Sequence, residues 1–201
     1  MARPKEFQRD EALGKAVEVF WLHGFKATSM SDLQRAMGIG RQSLYDTFGD
    51  KEQIFAQALD HYLNHSYERN DRLLNGNDGL ATIRTYFETS VRELSSHIPR
   101  RACMIFNTCV ELSPHDNNIA KKVETGIKHL RRAFIRALKR AKDQDLIGAD
   151  ADLPALAEFL TSQVGGLAIM AKRGASRKSM QAVANTALKV LEQPRADCRL
   201  A

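Results

Sequence analysis

Apolar residues recur at steps of three and four along most of the chain, and no strand-like alternation of useful length interrupts them. Leu13, Ala16, Val17, Phe20 and Trp21 share one face, which predicts an amphipathic helix over 8–23, with Gly24 closing it. Thr28-Ser29 then precede a second apolar set. Ser29 and Asp32 fit a capping arrangement, with Asp where Glu or Gln is usual, and predict a short helix over 30–36. Gly38-Ile39-Gly40 breaks the pattern, and Arg41 to Phe48 reads as another short helix. Leu33, Met37, Ile39 and Leu44 would form the small core between the two. Asp50 is placed to cap a long fourth helix with Ile54, Phe55, Ala58, Leu59, Tyr62 and Leu63 on one face. Asn75-Gly76-Asn77-Asp78-Gly79 ends that helix near Leu74. Further helices are predicted at 79–96, 101–112, 116–143, 152–173 and 176–192, punctuated by Pro99, Ser113-Pro114, Gly148 to Asp152 and Gly174 to Ser176. The tail after Pro194 reads as frayed. The fold expected is all-α, with about nine helices.

Composition agrees with that reading. Hydrophobic residues make up 43% and aromatic residues 7% of 201 residues, with five prolines, a balance that favours a helical globular protein of one or two domains. A net charge of +6 permits a polyanionic partner without requiring one. No unbroken run of about eighteen apolar residues is present, and the polar N-terminus lacks the apolar stretch of a signal peptide, so the expected location is the cytoplasm, with no membrane partner. Cys103, Cys109 and Cys198 show no metal-type spacing and read as free thiols; neither a metal nor a cofactor is expected.

Two short helices joined by a glycine turn make a helix-turn-helix unit. Arg41 offers a bidentate contact to guanine, Gln42 reaches adenine, and Ser43 serves either a base or a phosphate. Ser29, flanked by Thr28 and Ser31 at a helix N-terminus, brings a hydroxyl and nearby amides that suit a phosphate. Asp46 departs from this chemistry, because an acid beside phosphates is disfavoured. It would accept from a cytosine amine, or orient Arg41 or Lys51.

The order of these parts resembles the TetR family of transcriptional regulators. The resemblance is carried by Gly24-Phe25-Lys26-Ala27-Thr28-Ser29-Met30-Ser31-Asp32-Leu33, then Ala36-Met37-Gly38-Ile39, then Ser43-Leu44-Tyr45-Asp46-Thr47-Phe48-Gly49-Asp50-Lys51-Glu52. It covers roughly residues 8–60. It implies a homodimer whose two third helices enter successive major grooves of an inverted-repeat operator in double-stranded DNA. It also makes Tyr45 and Lys51 phosphate contacts and sets Thr47 near the groove. The division implied is a DNA-binding domain over 1–51 and a ligand-binding and dimerisation domain over 52–201. The expected function is a repressor released from its operator by a small-molecule inducer.

The C-terminal half is less specific. Tyr86, Phe87, Phe106, Asn107, Phe159 and Gln163 mix aromatic walls with hydrogen-bonding groups and are candidate ligand contacts. Cys103, near Arg100 and Arg101 at a helix start, is a candidate ligand contact and an alternative electrophile or redox sensor, whereas Cys109 reads as core. The basic run from Lys121 to Lys142 is interleaved with Ile127, Leu130, Phe134 and Leu138, the signature of a half-buried helix with a solvated basic face. Small residues between Phe159 and Met170 suggest close helix approach at a dimer interface. Histidines 23, 61, 65, 97, 115 and 129 are scattered, and no phosphate loop or nucleophile motif appears, so no enzymatic activity is expected.

Overall fold

The computed structural model describes residues 8–96 and 103–192. Among the described residues there are nine helices and no strand: α1 Arg9–His23, α2 Met30–Met37, α3 Arg41–Phe48, α4 Lys51–Leu74, α5 Gly79–Leu94, α6 Met104–Glu111, α7 Asn117–Asp143, α8 Leu153–Lys172 and α9 Arg177–Leu191. The predicted boundaries hold to within one or two residues, except that α6 begins at Met104 rather than near 101. Pro99, Arg100, Arg101, His97, Cys198 and the tail after Pro194 lie outside the described residues.

Caps explain where the helices start. Asp50 accepts from Gln53 N at 2.8 Å while Gln53 Oε1 accepts from Asp50 N at 3.0 Å, a reciprocal cap that opens α4. Asp78 caps α5 through Ala81 N, Asp116 caps α7 through Ile119 N, Asp152 caps α8 through Ala155 N, and Ser176 caps α9 through Ser179 N. Gly38 ends α2 at φ 70, the left-handed conformation that lets the chain turn at once into α3.

The chain packs as two compact units, residues 1–66 with 102–126, and residues 67–101 with 127–201. The division falls inside α4 and α7, so the packing units differ from the functional division expected at residue 51. In the first unit Ala12, Leu13, Ala16, Val17 and Phe20 of α1 are buried, as are Leu33 and Met37 of α2 and Leu44 and Phe48 of α3. Phe55 joins them edge-on to Phe20 at 4.9 Å and to Phe25 at 5.1 Å.

The second unit is built on small residues. Gly79 starts α5 so close to α7 that a Cβ would lie 2.4 Å from Ala137 O, which only glycine allows. Ala133, Ala137 and Ala141 of α7, Ala157, Ala168 and Ala171 of α8, and Ala184 and Ala187 of α9 are all buried. Lys122, Arg131 and Arg136 of α7 pair with Asp60, Glu158 and Asp71, and Arg140 donates to Leu74 O, so these four basic side chains are taken up by acidic groups and a carbonyl of the protein itself. Although no unbroken apolar run exists, α8 is by length and composition long and apolar enough to cross a membrane, and only 39% of that stretch is buried within the molecule.

Candidate nucleic-acid interface

Leu44 and Phe48 anchor α3, each at most 2% exposed. Their burial turns Arg41, Gln42, Ser43, Tyr45 and Asp46 outward, with Thr47 half-buried beside them. Tyr45 keeps 40% of its surface exposed, unusual for a large ring and consistent with a contact made to something outside the chain. Gly40 is the N-cap, extended at φ −61, ψ 147, and it supplies no side-chain cap. No carboxylate lies in the first turn. The N–H groups that open a helix are not satisfied inside it and carry its positive end, so an uncapped first turn suits an anion. Asp46 engages neither Arg41 nor Lys51: it accepts from Gln42 Nε2 at 2.9 Å.

The preceding helix is finished differently. Ser29 Oγ accepts from Asp32 N at 3.2 Å, and Asp32 Oδ2 accepts from Ser29 N at 3.0 Å and from the Ser29 hydroxyl at 2.6 Å, which closes the capping box. Hydrogen bonds from the Ser29 hydroxyl and backbone N–H hold the Asp32 carboxyl below its usual range. Ser31 is exposed. Thr28 is not: only 2% of it is accessible, and its hydroxyl donates inward to Gly24 O at 2.6 Å. Lys51 also points into the protein. Its ammonium donates to Phe25 O at 3.3 Å and Thr28 O at 3.1 Å, and sits 4.3 Å from the centre of the Phe25 ring. Both residues fix the shape of the loop between α1 and α2.

A residue absent from the sequence-based set completes that loop. Glu111, the last residue of α6, accepts from Phe25 N at 3.1 Å through Oε2 and from Lys26 N at 2.8 Å through Oε1. The Phe25–Lys26 segment is thereby gripped at its N–H groups by a carboxylate and at neighbouring carbonyls by an ammonium. Gly24, at φ 80, makes room: a Cβ there would stand 2.8 Å from Glu111 Oε2. The one usable signal in the sequence was that Glu111 is the sole charged residue of Met104–Glu111.

At the other end of α6, Cys103 is the N-cap and is half-buried. The Tyr62 hydroxyl donates to its sulfur at 3.6 Å and accepts from Met104 N at 3.4 Å. Cys109 is also half-buried rather than fully in the core. Phe106 and Asn107 are half-buried in the same unit. Tyr86 and Phe87 belong to the other unit and to its core, 2% and 0% exposed, in a cluster with Phe134 whose ring stands 5.1 Å from Tyr86 and 6.0 Å from Phe87. Arg69, unremarked in the sequence, lies 5.2 Å over the Tyr86 ring and is bonded to Glu93. Phe159 and Gln163 sit half-buried on α8. Among the described residues no group of three or more His, Cys, Asp or Glu is arranged to hold a metal ion.

An exposed eight-residue helix, delivered by a glycine turn from a capped partner and backed by a small apolar core, defines a helix-turn-helix protein of all-helical construction. The chain belongs to the TetR family of bacterial regulatory proteins. The family model described as "Bacterial regulatory proteins, tetR family" matches residues 12–58, and the one described as "Tetracyclin repressor-like, C-terminal domain" matches residues 79–187. The chain is 38% identical to the HTH-type transcriptional regulator YezE of Bacillus subtilis (strain 168), over 96% of this chain and 100% of that one. It is 32% identical to the HTH-type transcriptional repressor ComR of Escherichia coli (strain K12), over 94% of this chain and 90% of that one. Among solved structures it is similar to a cysteine mutant of the TetR family transcriptional regulator CifR complexed with 26-bp double-strand operator DNA, at TM-score 0.83 and 29% identity, covering 93% of this chain and 98% of that one. The reduced form of Escherichia coli NemR shares the fold at TM-score 0.81 and 18% identity, covering 92% and 98%. The chain is thus a TetR-family transcriptional regulator.

Proposed function

We propose that the protein is a homodimeric repressor that binds an inverted-repeat operator through α3 and is released by a small-molecule inducer. The observation that carries the reading is the pairing of an uncapped α3 N-terminus with outward-facing Arg41, Gln42, Ser43 and Tyr45. Residues 1–51 act as the DNA-binding head, with Ser29, Ser31, Tyr45 and Thr47 toward the backbone and Arg41, Gln42 and Ser43 toward base edges. Thr28 and Lys51 contribute by holding the loop that presents α2. Residues 52–201 bind the inducer and the second subunit. The apolar surface of α8 left open by the core, including Ile169 at 61% exposure, with Val190 of α9 at 40%, is what a second copy would cover. The protein works in the cytoplasm, where its DNA is.

Release requires the inducer to favour a conformer in which the heads are wrongly spaced, and a coupling of about 1–3 kcal/mol is enough. Helix α6 is suited to carry that signal, because Phe106 and Asn107 lie along it and Glu111 at its end grips the head's Phe25–Lys26 segment. Fluorescence anisotropy on the DNA upstream of the protein's own gene, at fixed salt against scrambled competitor, tests the reading. Tight binding that resists competitor supports it, and the same assay then screens inducers. Binding that competitor erases, together with a random-sequence selection that yields nothing, refutes it.

A second reading is favoured by Cys103. It stands at the N-cap position of α6 without a side-chain capping bond, and the Tyr62 hydroxyl that donates to its sulfur also accepts from Met104 N, so modification of the sulfur would disturb the start of the helix that ends at Glu111. In that reading an electrophile or oxidant takes the inducer's place. Cys103→Ser would then abolish the response and leave operator affinity intact; an unchanged response to electrophiles would dismiss it.

A further inference from the structure

We propose that Asp46 is a specificity-determining residue of α3, fixing the sense of the Gln42 amide so that Gln42 selects a base carrying a major-groove amino group. The inference rests on the reading of α3 as the DNA-contacting helix. Gln42 and Asp46 are one helical turn apart, both exposed, and joined by a bond from Gln42 Nε2 to Asp46 Oδ1 of 2.9 Å. A glutamine amide is nearly symmetric in shape but not in chemistry, since one end donates and the other accepts. Turning it by half a revolution exchanges a donor for an acceptor, and with it the base preferred. An ionised carboxylate only accepts, so the bond to Asp46 exists only with the nitrogen turned toward residue 46.

Gln42 Oε1 and the second N–H are what remain for the groove. Oε1 accepts from adenine N6 or cytosine N4, whereas guanine O6 and thymine O4 would oppose it with another acceptor. With the spare N–H on N7, the two-bond partner is adenine. The same carboxylate has a uniform cost. Asp46 is the sole acidic residue of Arg41–Phe48, and a negative charge near phosphates weakens binding to every sequence alike. Discrimination and bulk affinity therefore move in opposite directions when Asp46 is removed, which separates an orienting role from simple repulsion.

The test uses the full-length wild type, Gln42→Ala, Asp46→Ala and the double variant. Wild type is used to select half-sites from a random-sequence duplex library at fixed salt. Each protein is then titrated with the selected duplex and with duplexes substituted at the position whose preference Gln42→Ala abolishes. Wild type is expected to favour adenine there by roughly 5- to 150-fold, the range of a good bidentate contact. Asp46→Ala is expected to lose most of that preference while binding all duplexes more tightly. In the Gln42→Ala background, removing Asp46 is expected to raise affinity uniformly and to change no preference. An Asp46→Ala variant that keeps the wild-type preference overturns the proposal, as does one that shifts preference equally in the Gln42→Ala background, because Asp46 would then read a base itself. Failure of the wild type to select any sequence overturns instead the reading of α3 on which the proposal rests.

Discussion

Helices α2 and α3 are each eight residues long and separated by one glycine turn, yet their N-termini are finished in opposite ways. The first turn of α2 is closed by Ser29 and Asp32, which satisfy one another's backbone N–H groups. The first turn of α3 begins at Gly40 with no side-chain cap and no carboxylate. A capped end stabilises the chain; an open one leaves donors and partial positive charge for a partner. The loop behind α2 follows the same logic, with Thr28, Lys51 and Glu111 all turned onto its backbone. In the proposed reading the helix-turn-helix thus divides its work between a satisfied half that chiefly sets geometry and an open-ended half that would read the DNA bases.

That contrast can be broken from either side. The largest effect is expected from Arg41→Ala, which should lower affinity for a selected operator by about 5- to 150-fold with the melting temperature unchanged, as anisotropy and calorimetry would show. Gly40→Asp would give α3 the cap it lacks. A Cβ at Gly40 meets nothing within 4 Å and its φ of −61 is ordinary, so the substitution fits. It should add a few tenths of a kcal/mol of stability yet weaken operator binding by about tenfold, the effect of removing one charge-assisted hydrogen bond to phosphate. Should binding survive undiminished, the open end of α3 is not used.

On the satisfied side, Glu111→Ala strips two N–H groups of their acceptor at a half-buried site and should cost about 1–2 kcal/mol in chemical denaturation. Ser29→Ala removes one arm of the α2 box and should cost about 1 kcal/mol. The smallest effect is a pH dependence. The folded-state carboxyl of Asp32 is held below its usual range, so the stability it contributes is present above the ordinary carboxyl range and is lost as pH falls through the lowered value. Ser29→Ala should flatten that acid limb, which paired denaturation curves across the acid range would reveal.

What could be read from the sequence follows the range of each interaction. The α2 cap spans three residues, and the pairing of Ser29 with Asp32 was visible at once. On α3, Arg41, Gln42 and Ser43 were legible from their hydrogen-bonding chemistry and Tyr45 from the family resemblance, and the burial of Leu44 and Phe48 is what turns these four outward. Thr28 was expected at the DNA because of its place beside Ser29 at a helix start, and Lys51 because of the family resemblance. Their actual partners, Gly24 O for Thr28 and Phe25 O and Thr28 O for Lys51, are backbone carbonyls that carry no side-chain signature. Glu111 meets Phe25 across 86 residues of chain, and its being the sole charge of α6 marks the residue without naming its partner. Tyr86 and Phe87 looked like pocket walls because aromatic residues serve pocket and core equally; their near-complete burial against Phe134 places them in the core.

The most direct test of the division between the two helices is amide hydrogen exchange on the full chain, free and bound to a selected operator duplex. New protection concentrated at residues 40–46, with Ser29 to Asp32 already slow in the free protein, is the expected outcome. Protection on DNA binding that appears elsewhere and leaves residues 40–46 exchanging at their free rate would contradict that division.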